Sequence, residues 1–173
     1  GKSHGVPIMI ALDSARQRLA AAARVQARLT NAGWQIVDVE QALERDIGGI
    51  LLTGTIDRID RHGETGAIRI IDYKTSDRRN APETAHLAAA TPTAPAYAIA
   101  NVAGKDKRWT DLQLPLYCYL YDTAGAGADV ELAYFNLPKA VGDSGVESWE
   151  RFGKSLYASA VSCARAIVER VRS

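Results

Sequence analysis

An α/β fold, in which helices cover a mixed central sheet, is predicted by the order of elements along the 173 residues. A helical pattern opens the chain, several strands follow, and a second helix, a further strand and a long amphipathic helix complete it. Helices and strands in this order pack as layers around one core. We predict a single domain over residues 1–173. Because the chain begins with Gly1, we expect it to be a fragment of a larger protein.

The composition is that of a globular domain, with 47% hydrophobic and 24% charged residues. No apolar run approaches the roughly 18 residues that a membrane span needs, so we expect no membrane partner. The net charge of +1 gives no support to a nucleic-acid partner, and local charge must carry that argument. Cys118 and Cys163 lie far apart and outside any CxxC motif. We therefore expect no zinc site and no iron–sulfur cluster, and interpret both as buried thiols in a reducing cytoplasm.

The first element is a helix predicted over Asp13–Leu29. Its apolar positions recur at helical spacing among alanines and arginines. Asp13 or Ser14 can cap its first turn, because their side-chain oxygens accept from free N–H groups. Gly33 favours the left-handed conformation that ends a helix.

Three strands are predicted next. A short strand covers Trp34–Val39, and a glycine pair at residues 48–49 interrupts the chain before a strand over Ile50–Arg61. The turn Gly63–Gly66 then leads into a strand over Ala67–Thr75. Two strands joined by so short a turn form a hairpin.

The second half begins with a long insert at about residues 76–109, rich in Ala, Pro and Thr, with one short helix near Glu83–Ala90. Long loops inside compact domains are typically functional lids or disordered insertions. The remaining elements are a helix Thr110–Asp122 ended by Gly125 and Gly127, a strand Val130–Leu137 and an amphipathic helix Ser148–Val171.

The hairpin places three charged side chains together. Asp72 and Lys74 are two residues apart on one strand, so they share a face. With a four-residue turn, His62 lies opposite Ala67, and counting back places Asp57 opposite Asp72. Side chains opposed in this way have Cβ atoms about 5 Å apart.

Opposed carboxylates repel each other, and a strand has no structural need for them. A divalent cation between Asp57 and Asp72 removes that cost, and Mg²⁺ is often held by one or two carboxylates. Lys74 could then hold or deprotonate a water, or neutralise charge on a phosphate. The alternative is an ordinary salt-bridged cluster without chemistry. A shift of one residue in register would also move Asp57 to the other face.

Three further residues are candidates. Glu40 follows an apolar run at the end of a predicted strand and could add a third carboxylate, or it could be a solvated strand end. Gln113 and Tyr117 are four apart and share one face of a helix. Their alternatives are a capping box, with Thr110 at the helix start, and a core tyrosine.

Basic residues cluster around the hairpin and could bind a phosphate backbone. They are Arg58, Arg61, Lys74, Arg78, Arg79, Lys105, Lys107 and Arg108. Trp109 follows the last of them and could stack on an unpaired base, although a core position is the alternative. With at most about six phosphate contacts from such a set, we expect a modest, salt-sensitive affinity.

These segments together resemble the RecB-like nuclease family of the PD-(D/E)XK superfamily. The matching text is Val39-Glu40, Gly54-Thr-Ile-Asp57-Arg-Ile-Asp60, Ile71-Asp72-Tyr-Lys74-Thr-Ser76 and Gln113-Leu-Pro-Leu-Tyr117. The resemblance runs from about Gly33 to Leu120, and order and spacing match as well as residue types.

The resemblance implies a restriction-endonuclease-like core and specific roles. Asp57 and Asp72, with the Tyr73 backbone carbonyl, would bind Mg²⁺ or Mn²⁺. Glu40 matches a further acidic position and Lys74 the catalytic lysine. The pair Gln113 and Tyr117 matches an extra motif expected near the DNA. The family often has an upstream His, for which this chain offers only His4. This chain also lacks the four Cys that bind an iron–sulfur cluster in some relatives.

The implied function is metal-dependent hydrolysis of DNA phosphodiesters. We expect an exonuclease of DNA end processing and repair, with a helicase domain or subunit as partner. The alternatives are a structure-specific endonuclease and a non-catalytic DNA-binding scaffold module. Intact Asp57, Asp72 and Lys74 argue against the scaffold, because a decayed site has no need for clustered like charges.

Overall fold

In the computed structural model, the described residues are 5–121 and 130–173. The helices are α1 Gly5–Asn31, α2 Pro82–His86, α3 Gln113–Tyr121 and α4 Lys154–Arg172. The strands are β1 Trp34–Ile47, β2 Ile50–His62, β3 Ile68–Lys74, β4 Leu87–Ala89, β5 Ile99–Val102, β6 Lys105–Trp109, β7 Val130–Asn136 and β8 Gly145–Ser148. Short 3₁₀ helices, Ala96–Ala98 and Val141–Asp143, precede β5 and β8.

A five-stranded sheet in the order β1-β2-β3-β7-β8 forms the centre of the fold. β3 and β7 run parallel, and the other neighbours in this sheet run antiparallel. The parallel pair requires a crossover, which the insert and α3 supply between β3 and β7. The predicted α/β fold with a mixed central sheet is confirmed.

Helices cover both faces of this sheet because side chains on β3 and β7 alternate between the faces. On one face, Val25 of α1 packs against Ile71 and Phe135. On the other face, α3 and α4 pack against the strands in the main core. That core includes Ile56, Ile59, Ile70, Leu114, Cys118, Leu132, Leu156, Ala160 and Cys163. Asp72 belongs to this second face, since it is two residues from Ile70.

The first helix is longer than predicted, and its predicted cap is wrong. The helix runs through Asp13, whose Oδ2 accepts a hydrogen bond from Gln17 Nε2 at 2.7 Å within the helix. The Asp13 carboxylate thus binds a side chain one turn further along the helix and does not cap free N–H groups at a helix start. Gly33 follows the helix with a φ of +88°, as predicted for a residue that ends it.

Two hairpins join β1, β2 and β3. The first strand continues to Ile47 rather than ending at Val39, and the glycine pair 48–49 forms a two-residue turn with φ of +63° and +81°. Positive φ at both positions is the geometry of the type I′ turns that favour glycine. At the second turn His62 faces Ala67, as predicted, and its N–H donates to the Ala67 carbonyl at 2.9 Å.

The insert is folded, so the expectation of a disordered insertion is wrong, and a functional lid stays a prediction. The predicted helix near Glu83–Ala90 is the single short turn α2, followed directly by β4. β4, β5 and β6 form a second sheet in the order β4-β6-β5. Alternate small residues of β5, Ala100 and Val102, are buried, which places this sheet against the main core.

The last third of the chain differs from the prediction at one boundary. The long helix begins at Lys154, not Ser148, because residues 145–148 form β8 and the Trp149 N–H donates to the Leu132 carbonyl at 2.8 Å. Gly125 and Gly127, predicted to end the preceding helix, lie outside the described residues, as does His4. Cys118 and Cys163 are buried free thiols, as predicted. No helix among the described residues is both long and apolar enough to span a membrane.

Candidate active site

Asp57 and Asp72 stand opposite each other where β2 and β3 separate. The ladder ends at the pair of Arg58 with Ile71, and one step further in the same register places Asp57 opposite Asp72. The register count from the sequence is therefore confirmed. Asp57 is partly exposed, whereas the Asp72 residue is 4% exposed. The sheet thus opens at this end with one buried and one accessible carboxylate.

A backbone hydrogen bond fixes the Asp57 side chain. Its Oδ2 accepts from the Tyr73 N–H at 2.9 Å. The N–H and C=O groups of one strand residue point to the same neighbour. Lys74 directs its carbonyl to the opposite side, toward Leu137, at 2.8 Å. The carbonyl of Tyr73 is thereby directed toward the side of Asp57, as a metal-ligand role would require.

Lys74 and Asp72 form an ion pair on one strand. The ammonium Nζ of Lys74 lies 2.7 Å from Asp72 Oδ2. That oxygen is buried and has no well-aligned hydrogen-bond donor among the described residues. The contact is therefore a close ion pair. The same ammonium lies 4.7 Å from the ring centroid of Tyr134, a cation–π contact.

Burial dominates the electrostatics of Asp72. It raises the pKa of the Asp72 carboxyl above its ordinary value, and the nearby charge of Asp57 raises the pKa further. Lys74 opposes both effects through its ion pair. A charged Asp72 is therefore costly in the absence of further positive charge, and a cation beside it would relieve that cost.

Gln113 and Tyr117 meet beside the two carboxylates. Gln113 Nε2 donates to the Tyr117 hydroxyl at 2.9 Å across one turn of α3. The charges of Asp72 and Asp57 raise the pKa of Tyr117, after the larger effect of burial. The capping-box alternative is wrong, because the Gln113 N–H is capped by Asp111 Oδ1 at 2.7 Å and not by Thr110.

Glu40 is not gathered with the other carboxylates. It is exposed and lies within β1 rather than at a strand end, with a φ of +49°. Continuing the β1–β2 register places Glu40 opposite Asp57. A non-glycine residue rarely adopts this left-handed conformation, which redirects its side chain away from the regular alternation. Within residues 5–121 and 130–173, no three His, Cys, Asp or Glu side chains are grouped to hold a metal.

Arg58 is a correction to the predicted DNA contacts. Its residue is 2% exposed, and its guanidinium binds both oxygens of Asp60 at 2.6 and 2.7 Å. Arg58 and Asp60 lie on the α1 face of the sheet, opposite to Asp57. A guanidinium that is buried in a bidentate pair is not accessible to a phosphate on the surface.

The other predicted basic contacts are divided. Arg78 is exposed on the segment that follows β3 and remains a candidate. Arg79 is already paired with Glu147 of β8. Arg108 lies on β6 and lines a cavity whose described lining residues include neither Asp57 nor Asp72. Trp109 is 5% exposed and donates to Ser159 Oγ at 3.1 Å, so it is a core residue.

Three residues near the site were missed from the sequence. His86 and Tyr134 form a buried hydrogen-bonded pair next to Lys74. Arg18 of α1 donates at 3.2 Å to the carbonyl of Thr75, the residue that follows Lys74. No spacing or motif indicates any of them. Tyr134 could have been found only from the parallel pairing that places it beside Asp72.

The donor set fits a hard divalent cation. Asp72 Oδ2 is a buried oxygen without a well-aligned donor, and Asp57 uses only Oδ2 in its hydrogen bond. Carboxylate and carbonyl oxygens are the ligands that Mg²⁺ prefers, and it is often held by only one or two carboxylates. The residues that would hold it are Asp57, Asp72 and the Tyr73 carbonyl.

The comparisons with known proteins give one family. The family model described as "PD-(D/E)XK nuclease superfamily" matches residues 4–170. No curated protein matches the sequence significantly. The match covers every element described above except the last residues of α4.

Proposed function

Since the chain belongs to the PD-(D/E)XK nuclease superfamily, we propose that it hydrolyses DNA phosphodiester bonds at Asp57, Asp72 and Lys74 with a divalent metal ion. One observation carries the proposal. A lysine ammonium lies 2.7 Å from a buried carboxylate, and a second carboxylate is opposed to that one at the open end of the sheet. This arrangement costs stability without a cation and gains a chemical use with one.

Hydrolysis joins a water oxygen to phosphorus, breaks the bond to one ester oxygen, and places negative charge on the phosphate oxygens. When bound, Mg²⁺ or Mn²⁺ supplies positive charge for those oxygens. Lys74 is partly exposed beside Asp72, so its ammonium can approach the same phosphate or orient the water. Asp57 and Asp72 remain the anionic partners of the cation.

Gln113 and Tyr117 have a supporting role in this proposal. Their side chains are hydrogen-bonded to each other, and the charges of both carboxylates raise the pKa of Tyr117 in addition to the larger effect of burial. A hydroxyl and an amide in that position can donate to a phosphate or base of the strand being cut. Arg78, exposed just after β3, is the basic residue best placed to meet the same strand.

We further infer an exonuclease of the RecB-like kind, acting on DNA ends in repair with a helicase domain or subunit. The sequence motifs around Asp57, Asp72 and Gln113 support the RecB-like assignment. The net charge of only +1 supports the delivery of DNA by a partner. Glu40 is retained as a proposed accessory carboxylate. A change of its backbone conformation would be needed to bring it to the metal.

Cleavage of end-labelled single- and double-stranded DNA, and of a closed circle, tests the proposal. Each is incubated with Mg²⁺ or Mn²⁺ and with the metal chelated. We expect metal-dependent loss of linear DNA, abolished in Lys74→Ala and retained in Lys154→Ala, an exposed lysine at the start of α4. Survival of the circle identifies an exonuclease, and its cleavage identifies an endonuclease. A folded protein that binds no metal and cuts none of these substrates contradicts the proposal and favours a scaffold module.

A further inference from the structure

His86 is a fully buried histidine that the proposed reaction does not use. It ends α2 in the insert and is 0% exposed. Its Nδ1 lies 3.0 Å from the Asp111 carbonyl oxygen, and its Nε2 lies 2.8 Å from the Tyr134 hydroxyl. The ring also stacks on Trp149, with 5.2 Å between centroids and 16° between planes. Both ring nitrogens and one ring face are therefore occupied.

The direction of these hydrogen bonds follows from chemistry. Burial is the main cause that lowers the pKa of His86, so its imidazole is neutral near pH 7. A carbonyl oxygen can only accept, so Nδ1 carries the proton and donates to Asp111. Nε2 is then an acceptor, and the Tyr134 hydroxyl donates to it. Burial also raises the pKa of Tyr134, which keeps that hydroxyl protonated.

Tyr134 connects this pair to the candidate active site. It is the parallel register partner of Asp72 on the adjacent strand. The Lys74 ammonium lies 4.7 Å from its ring centroid while it contacts Asp72. The position of the ring thus defines one wall of the space that the ammonium occupies.

We propose that His86 is a positioning residue for Lys74, acting through the Tyr134 hydroxyl. This inference rests on the proposed nuclease function. A lysine has a long side chain whose rotamer freedom must be lost to hold one geometry. An aromatic ring tied at its far end by a hydrogen bond cannot shift along the strand, so it confines the ammonium to the Asp72 side.

The same histidine joins the insert to the helix that carries Gln113. The Asp111 residue that accepts from His86 also caps the Gln113 N–H. The His86 carbonyl accepts from the Thr110 N–H at 2.9 Å. Through these contacts, the insert supports Lys74 and the start of α3 together. It contributes to the active site by positioning rather than by covering it.

Steady-state kinetics of His86→Leu and Tyr134→Phe test the inference. The phenylalanine keeps the ring beside Lys74 and removes only the hydroxyl. Misplacement of a catalytic group by 1 Å can cost about a hundredfold in rate, so we expect kcat to fall on the order of tenfold. We expect KM for DNA to stay within about twofold, because these residues do not contact the strand. His86→Gln, which can still accept from Tyr134, should recover part of kcat.

A double-mutant cycle adds a sharper criterion. Each substitution removes the same hydrogen bond, the one between His86 and Tyr134. The kcat of the His86→Leu/Tyr134→Phe protein should therefore be no lower than that of the slower single variant. Leu156→Ala, in the core of α4 and 5% exposed, is the control for destabilisation alone. It should lower Tm and leave kcat of the folded protein unchanged.

Two outcomes overturn the inference while leaving the nuclease intact. One is wild-type kcat in folded His86→Leu and Tyr134→Phe proteins. The other is a double variant whose losses multiply, which would mean that the two residues act independently. By contrast, a folded wild-type protein that binds no metal and cuts no DNA refutes the proposed function itself. NMR of ¹³C-labelled lysine side chains then provides a test that does not depend on activity. We expect Tyr134→Phe to change the chemical shift of the Lys74 ε-carbon, because that shift depends on the contact with the Tyr134 ring.

Discussion

Asp57 accepts its hydrogen bond from the N–H of Tyr73, although its register partner across the hairpin is Asp72. The carboxylate is therefore fixed by the backbone of the residue that follows the like charge it faces. It replaces a ladder bond at the point where β2 leaves β3. The result is a carboxylate held in place by the backbone of β3 beside Asp72, where the two could share a cation.

Metal binding should be visible as stabilisation. A ligand that binds only the folded state raises the free energy of unfolding, by about 2.7 kcal/mol at a hundredfold excess over Kd. For a domain of this size we expect a rise in Tm of roughly 5–10 °C with Mn²⁺ in the wild type. Asp72→Asn should abolish the rise, and the exposed Asp143→Asn should retain it, as measured by differential scanning fluorimetry. A full rise in Asp72→Asn would show that the metal binds elsewhere.

The buried pair of Arg58 and Asp60 should matter for stability and not for DNA contact. Removing one partner of a buried ion pair leaves an uncompensated charge, and typically costs 3–5 kcal/mol. We expect Arg58→Met to lose about that much in urea unfolding, and Arg58→Met/Asp60→Leu to lose clearly less. The double variant, once folded, should bind DNA like the wild type in fluorescence anisotropy. A selective loss of DNA affinity would restore Arg58 as a contact residue.

The hairpin was predictable from sequence because its turn is local. A four-residue turn fixes the register, and the register alone places Asp57 opposite Asp72. The alternation of side chains then puts Lys74 beside Asp72. The sheet, its mixed character and its cover of helices followed from the order of elements, since these depend on patterns that are continuous along the chain.

The parts that escaped prediction depend on contacts between distant segments. Arg58 carries the charge of a DNA-binding residue, and only the pairing with Asp60 and the cover of α1 bury it. His86 joins the site through Tyr134, which is 48 positions away along the chain. Glu40 lies in the middle of β1 with a positive φ, where a local pattern of apolar residues could not reveal that the strand continues. Nothing in residue type or spacing distinguishes these cases before the chain is folded.

Gly54 should be intolerant of a side chain because α3 packs directly on it. A Cβ there would lie 2.9 Å from Leu120 Cδ1 and 3.3 Å from Tyr117 Cε1. Overpacking of this kind typically costs 1–3 kcal/mol. We expect Gly54→Ala to lower stability by about that amount and to reduce cleavage by displacing Tyr117. The control is Gly142→Ala, where no described atom lies within 4 Å of the new methyl group. Equal effects of the two changes would contradict the packing argument.

Acid should destabilise the fold through His86. Burial lowers the pKa of His86 below the unfolded value of about 6.5, so the unfolded chain takes up a proton first as the pH falls. Stability should therefore be fully present above about pH 6.5 and decline below it until the folded histidine also titrates. The slope from this group cannot exceed about 1.4 kcal/mol per pH unit.

Urea unfolding at pH 7.5, 6.5 and 5.5 measures this dependence in the wild type and in His86→Gln. We expect the variant to be less stable at pH 7.5 and to lose less on acidification, so that the two curves converge. The raised pKa of Asp72 acts with the opposite sign, because the folded state takes up that proton first, but its larger causes, burial and Lys74, are present in both proteins. Leu156→Ala should run parallel to the wild type, since it removes apolar contacts and no proton site. Parallel curves for His86→Gln and the wild type would mean that folding leaves the pKa of His86 unchanged, which would contradict its burial as a neutral ring between Asp111 and Tyr134.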